Sequence, residues 1–185
     1  MAAVASLCVF CGSQMGANPA YAEAARSLGA GLAARGITLV YGAGGIGLMS
    51  QLADAVLAGG GRVVGVIPEH LARREVQHPG LSETVVTGDM LSRKRVMFDR
   101  SDGFVILPGG FGTLDEFFEV LTWKQLDQLA KPVLVLDSEG YWEPLFDLLG
   151  HVTAEGFAPP AAPRFVTVVR STDDVFRALD EAEGS

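Results

Sequence analysis

The chain has 185 residues, which favours one domain over 1–185 and lets about two-thirds of the extended surface be buried on folding. Lys and Arg number 14 against 22 Asp and Glu, a formal charge of −8, which excludes nucleic acid as a bulk partner because phosphate backbones are held by dense positive surface. Hydrophobic residues make up 49 % and mean hydropathy is +0.29, yet no apolar run reaches the ~20 residues of a membrane span, so a large core and no membrane partner are expected.

The N-terminal "AAVASLCVFCGS" lacks a positively charged start and runs straight into a glycine turn, so "SLCVF" reads as the first strand rather than a signal peptide. Cys8 and Cys11 have the CxxC spacing of a redox pair, but such a pair normally opens a helix. In a strand, positions three apart lie on opposite faces, so two core thiols in a reducing, cytoplasmic compartment are expected. Next come a helix over "NPAYAEAARSLGAGLAARG", a strand "ITLVYG", a helix "GLMSQLADAVLAGG" and a strand "RVVGVIP". "ETVVTGD" reads as a short strand and "MLSRKRVMFDRS" as a helix. They are followed by "DGFVILP" (strand), "TLDEFFEVLTWKQLDQL" (helix), "PVLVLD" (strand) and "YWEPLFDLLGHVTAEG" (helix). "RFVTVV" and "STDDVFRALDEAE" complete the set. The strands are continuous apolar runs, the pattern of a parallel sheet covered on both faces. The alternation predicts an α/β fold: a Rossmann-like, doubly wound parallel sheet with helices on both faces, in a single domain.

In such a sheet, ligands bind where the carboxyl ends of strands meet helix N-termini. Three of these corners are rich in glycine or small residues: "CGSQMG" (11–16), "YGAGGIGLM" (41–49) and "PGGFGTLDE" (108–116). Together they point to a nucleotide or phosphate site, with Ser13 and Gly44 as candidate contacts in the first two. Gly42, Gly44 and Gly47 form G-x-G-x-x-G, the dinucleotide fingerprint. The motif follows the second strand, however, and no acid stands about 20 residues on to meet a ribose, which argues against nicotinamide or flavin. No G-x-x-x-x-G-K-[ST] is present, so a P-loop is excluded.

The third corner carries the chemistry. Thr113 and Glu116 have the spacing of a capping box, with Thr113 as N-cap. A cap does not need Gly109 and Gly110, which instead let an anion approach bare N–H donors at the positive end of the helix dipole. A carboxylate in the first turn is expected to stay charged, so Glu116 reads as a stabiliser of positive charge rather than a general acid. A ribose 5′-phosphate fits: phosphate on the glycines, sugar against the carboxylate, and an oxocarbenium-like cation as the bond at C1′ breaks. The cations are clustered too, six of the 14 lying between Arg73 and Arg100. On "DMLSRKRVM", Met90, Val96 and Met97 give an apolar side that frees Arg93 to face the pocket while Arg95 points elsewhere, and arginine orients a purine or phosphate by bidentate donation. Met15, Met49 and Met97 are candidates for lining a base pocket.

"PGGFGTLDE" and "DMLSRKRVM" together resemble the LONELY GUY family, also called lysine decarboxylase-like, whose hallmark is PGGxGTxxE preceded by M-x-x-R-K. The similarity runs from "CVFCGS" through "YGAGGIGLM", "VVGVIP" and "EVLTWKQL" to "GF" near 156. It implies a cytokinin riboside 5′-monophosphate phosphoribohydrolase, which hydrolyses a nucleoside monophosphate such as AMP to a free adenine-type base and ribose 5-phosphate. The resemblance puts the catalytic pair on Arg93 and Glu116. It puts substrate contacts on Glu75, Lys94, the glycine corner (Gly109, Gly110, Phe111, Gly112, Thr113) and Thr122. It implies a homodimer whose helices, including "EVLTWKQL", complete the pocket, and no metal or redox cofactor. Ala43 and Gly45 replace commoner family residues and leave substrate preference open. Lysine decarboxylation would need pyridoxal phosphate on a lysine Schiff base, and none of Lys94, Lys124 and Lys131 has such a setting. The rival reading is a non-catalytic carrier of a phosphorylated, molybdopterin-type cofactor on the same fold, which would not need both Arg93 and Glu116.

Overall fold

The computed structural model describes residues 4–72 and 77–183. The chain folds as β1 (Ser6–Phe10), α1 (Pro19–Ala34), β2 (Thr38–Tyr41), α2 (Gly47–Ala58), β3 (Val63–Pro68), α3 (Glu69–Ala72) and β4 (Glu83–Thr87). It continues through α4 (Met90–Asp99), β5 (Gly103–Ile106), α5 (Phe111–Gln125), β6 (Val133–Leu136), α6 (Glu143–Ala154), β7 (Thr167–Val169) and α7 (Thr172–Glu183). The seven strands form one parallel sheet in the order β4-β3-β2-β1-β5-β6-β7. The chain winds outward from β1 to β4, returns to lay β5 on the free side of β1, and winds outward again to β7. This is the expected doubly wound arrangement. Its direction reverses between β1 and β5, so a crevice opens at their carboxyl ends.

The sheet has a core on each side. Leu7, Val9 and Cys11 of the first strand and its extension pack with Leu28 and Leu32 of α1, Leu48 and Leu52 of α2 and Val175 and Leu179 of α7. Cys8 and Phe10 face the other way, onto Met97 and Phe98 of α4, Phe117 and Val120 of α5 and Leu145 of α6. Burying each large aliphatic side chain contributes roughly 1.5–3 kcal/mol, so both faces drive the fold. Cys8 and Cys11 are buried, unpaired and on opposite faces, as strand alternation requires. Burial pushes both thiols well above their ordinary pKa, which makes them inert.

Two local departures from the sequence pattern have simple causes. β4 alternates rather than running apolar throughout, because it is an edge strand with one face only partly covered. The helix expected to start at Thr113 starts at Phe111, with Gly110 as its N-cap and no side-chain capping bond.

Candidate active site

Three connections meet at the crevice and are tied together by main-chain bonds. Gly12, just past β1, donates its N–H to the Pro108 carbonyl (3.0 Å) at the end of β5. Its own carbonyl accepts from Leu48 N–H (3.0 Å) at the start of α2. The corners named from sequence thus lie side by side, and two cavities open between them. One, of 190 Å³, is lined by residues that include Cys11, Ser13, Gly42, Met49, Arg93, Gly110, Thr113 and Glu116. The other, of 250 Å³, lies across the Gly109–Gly110 ribbon and includes Gln14, Tyr21, Leu48 and Tyr141. Gly12, Ser13 and Gly110 line both, so these are two lobes of one crevice.

The early helix start makes the α5 corner an anion cradle. Thr113 is not the N-cap, and the capping box with Glu116 does not form. Gly110 holds extended backbone (φ −98°, ψ −150°), which starts the helix two residues before Thr113 and leaves its first N–H groups uncapped by any side chain. Thr113 is buried instead, with its Oγ1 2.1 Å from where a Cβ on Gly109 would lie. Gly109 is therefore needed for contact with the helix. Gly109→Ala is expected to cost about 1–3 kcal/mol of stability by overpacking, seen as a lower thermal midpoint by circular dichroism.

Glu116 sits one turn deeper than a first-turn acid and faces the same lobe as Arg93. Its ionisation differs from the sequence expectation. Burial pushes its pKa from 4.5 up to about 7, although Arg93 and then Lys94 pull it down. Loss of hydration outweighs the cations and the helix dipole, so the carboxyl titrates near neutrality rather than staying charged throughout.

Arg93 is held by α4, whose buried Met97 and Phe98 fix it to the sheet and whose first turn is capped by Asp89 Oδ1 accepting from Ser92 N–H (2.7 Å). Its Nε donates to the Val66 carbonyl (3.1 Å) within β3, and its Nη2 donates to the Gly42 carbonyl (3.2 Å) beyond β2. A Cβ on Gly42 would lie 2.1 Å from Nη2, so a glycine there lets the guanidinium in. Arg95, as expected, points outward and pairs with Asp99.

The other expected contacts divide. Ser13, Gly109, Gly110, Phe111, Gly112 and Thr113 line one or both lobes. Gly44 does not; it is covered by Met49 and bridges Gln77. Lys94 does not either. Its Nζ bonds Asp115 (2.6 Å) and Glu119 (2.9 Å), clamping α4 to α5. Burial opposes its charge, but these two carboxylates more than offset that and hold its pKa above the usual range. Thr122 lies on the far side of α5, where its Oγ1 donates to the Phe118 carbonyl and it borders an apolar groove. Glu75 lies outside the described residues. Of the three candidate methionines, Met49 lines the 190 Å³ lobe and Met15 is exposed, whereas Met97 is fully buried in the core because α4 turns it onto the sheet. Tyr141 had no sequence signal: it follows β6, yet its hydroxyl donates to the Gly109 carbonyl at 2.5 Å. Among the described residues no cluster of His, Cys, Asp and Glu suits a metal ion, and no helix is long and apolar enough to cross a membrane.

A doubly wound α/β protein with an uncapped helix start, a fixed guanidinium and a half-buried carboxyl in one crevice is the class that fold and site define. The family model described as "Possible lysine decarboxylase" matches residues 49–179. The cytokinin riboside 5′-monophosphate phosphoribohydrolase LOG7 of Arabidopsis thaliana is 43% identical over 177 residues, 96% of this chain and 82% of that protein. A probable cytokinin riboside 5′-monophosphate phosphoribohydrolase of Oryza sativa subsp. japonica, LOGL9, is 48% identical over 175 residues, 95% of this chain and 77% of that one. The chain belongs to the LONELY GUY family. Among solved structures, the molybdenum cofactor binding protein of Rippkaea orientalis superposes with a TM-score of 0.73 at 21% identity, covering 96% of both chains. The molybdenum cofactor carrier protein of Chlamydomonas reinhardtii gives 0.72 at 21%, covering 97% of this chain and 98% of that one. At that identity the likeness is one of fold.

Proposed function

We infer that the protein is a nucleoside 5′-monophosphate phosphoribohydrolase, cleaving the N-glycosidic bond of AMP or a cytokinin riboside monophosphate to free base and ribose 5-phosphate. The observation that carries this reading is the placing of Arg93 and Glu116 in one 190 Å³ lobe beside the uncapped start of α5. The phosphate is taken by main-chain N–H groups from Gly110 to Thr113, where the helix dipole favours negative charge. The sugar then lies over Glu116. As the bond at C1′ lengthens, its electrons leave with the base and the ribose ring gains positive charge. The Glu116 carboxylate stabilises that charge, and water adds at C1′, losing a proton as the departing base nitrogen gains one, so the products are the neutral base and ribose 5-phosphate. Arg93, braced on two carbonyls, orients the nucleotide without having to be ordered on binding. Lys94 reads as the brace that keeps α4 against α5. A carrier of a phosphorylated cofactor would use the cradle but would gain nothing from a carboxyl tuned to near neutrality.

The test is direct: incubation with AMP should yield adenine and ribose 5-phosphate in equal amounts by chromatography. AMP and a prenylated adenosine 5′-monophosphate that both bind and are both returned intact would refute the hydrolase.

The apolar groove bordering Thr122 supports a homodimer. It has a volume of 530 Å³ and is lined by Phe118 and Leu121 of α5, Leu148 and Val152 of α6 and the exposed Phe157, with no titratable side chain. A second copy of the chain, packed there through α5, accounts for so much exposed apolar surface. Leu148→Asp with Phe157→Asp is expected to convert dimer to monomer in light scattering coupled to size exclusion. If the pair leaves the mass unchanged, the interface lies elsewhere. The buried, unpaired thiols suit a reducing, cytoplasmic setting.

A further inference from the structure

We propose that Tyr141 is a positioning residue of the phosphate cradle, setting the peptide between Gly109 and Gly110 so that the Gly110 N–H faces the catalytic lobe. This rests on the phosphoribohydrolase reading. The Tyr141 hydroxyl donates to the Gly109 carbonyl at 2.5 Å from the lobe opposite Arg93 and Glu116. In a planar trans peptide the C=O and N–H point opposite ways. With the carbonyl held toward Tyr141, the next N–H is aimed into the other lobe. Two successive glycines impose little preference of their own on this peptide. Turned over, it would present a carbonyl oxygen to the phosphate, replacing an attractive dipole with a repulsive one. The Tyr141 bond removes that alternative.

The tyrosine is itself firmly supported. Glu139 and Gly140 take positive φ (56° and 70°) in the tight turn that brings it over the crevice. Its ring packs edgewise on Tyr21 (5.3 Å between centroids) and on Trp142 (4.7 Å). Trp142 is buried and donates its main-chain N–H to Asp137 Oδ1 (2.8 Å), and the buried Asp137 donates its own main-chain N–H to the Val169 carbonyl on β7 (2.8 Å). The hydroxyl is thus placed by the β6 and β7 side of the sheet, by Tyr21 of α1 and by Trp142 stacked on Phe117 (6.5 Å between centroids), all outside the Gly109–Gly110 peptide it orients.

Tyr141→Phe keeps the ring contacts and removes only the hydroxyl. The expected result is an about tenfold weaker dissociation constant for ribose 5-phosphate by calorimetry. The KM for AMP should rise by a like factor, with kcat changed by no more than about twofold. Adenine release from adenosine, which has no phosphate, should be unaffected, as should the thermal midpoint. An unchanged affinity for ribose 5-phosphate, or equal losses on AMP and adenosine, would overturn the inference, as would a wild-type protein that does not bind ribose 5-phosphate. Should the wild type bind ribose 5-phosphate but release no base from AMP or from a prenylated adenosine 5′-monophosphate, the hydrolase reading alone fails, and the comparison of affinities still decides the role of Tyr141.

Discussion

Glu116→Gln is expected to lower adenine release from AMP by about 10³-fold or more while making the protein more resistant to heat at pH 8. The two effects have one cause. The folded protein holds this carboxyl at about 7 instead of 4.5, chiefly because burial strips its hydration. Between those values the folded chain binds more protons than the unfolded chain, so stability falls as pH rises through this window and the full penalty applies above it. The penalty is at most about 3–4 kcal/mol. Glutamine keeps the shape without the charge and relieves it, which for a chain of this size raises the midpoint by several degrees, at about 2–4 °C per kcal/mol. The pH dependence follows in sign: kcat/KM should rise through about 7 as Glu116 ionises and level off above it. The substrate phosphate also titrates, near pH 6, so the same profile should be taken with adenosine, where only the enzyme's step remains. Activity that falls with rising pH through this range would make Glu116 an acid and sink the electrostatic role. A Gln variant with undiminished turnover would remove it from catalysis altogether.

Arg93→Lys is expected to cost about 10²-fold in kcat/KM despite conserving the charge. Nε and Nη2 reach two carbonyls on different segments, Val66 of β3 and Gly42 beyond β2, while Nη1 lies 3.9 Å from Met90 Sδ, and the side chain so braced lines the lobe. An ammonium is a single point and cannot satisfy both carbonyls and the substrate together. The pH profile separates geometry from charge. Arg93 helps hold the Glu116 pKa down, so Arg93→Met should move the kinetic step above 7, whereas Arg93→Lys should leave it closer to the wild-type position. If both variants keep the wild-type rate, Arg93 is a structural tie between β2, β3 and α4. If Lys alone restores full activity, charge matters and the fork does not.

The parallel sheet was legible because its strands are unbroken apolar runs separated by amphipathic helices, and the site because glycines gathered at three strand ends. "PGGFGTLDE" and "DMLSRKRVM" singled out Glu116 and Arg93, which the fold brings into one lobe. What failed locally did so for reasons a linear pattern does not hold. Thr-x-x-Glu has the spacing of a cap, but Gly110 tolerates the extended backbone that starts α5 earlier and turns Thr113 inward. Lys94 sits beside Arg93 in sequence, yet one residue is about 100° of helical turn, and that turn carries it to Asp115 and Glu119 instead of the cavity.

The sequence by itself determined the order of elements and the doubly wound class and singled out Arg93 and Glu116 as candidates, since periodicity and motif are properties of neighbouring residues. The tertiary structure decided the charge state of Glu116, the aim of Arg93 and the link from Tyr141 to Gly109. Those depend on how much water is excluded and which dipoles are brought near by segments far apart in the chain, and electrostatic energy is set by distance in space rather than by separation along the backbone.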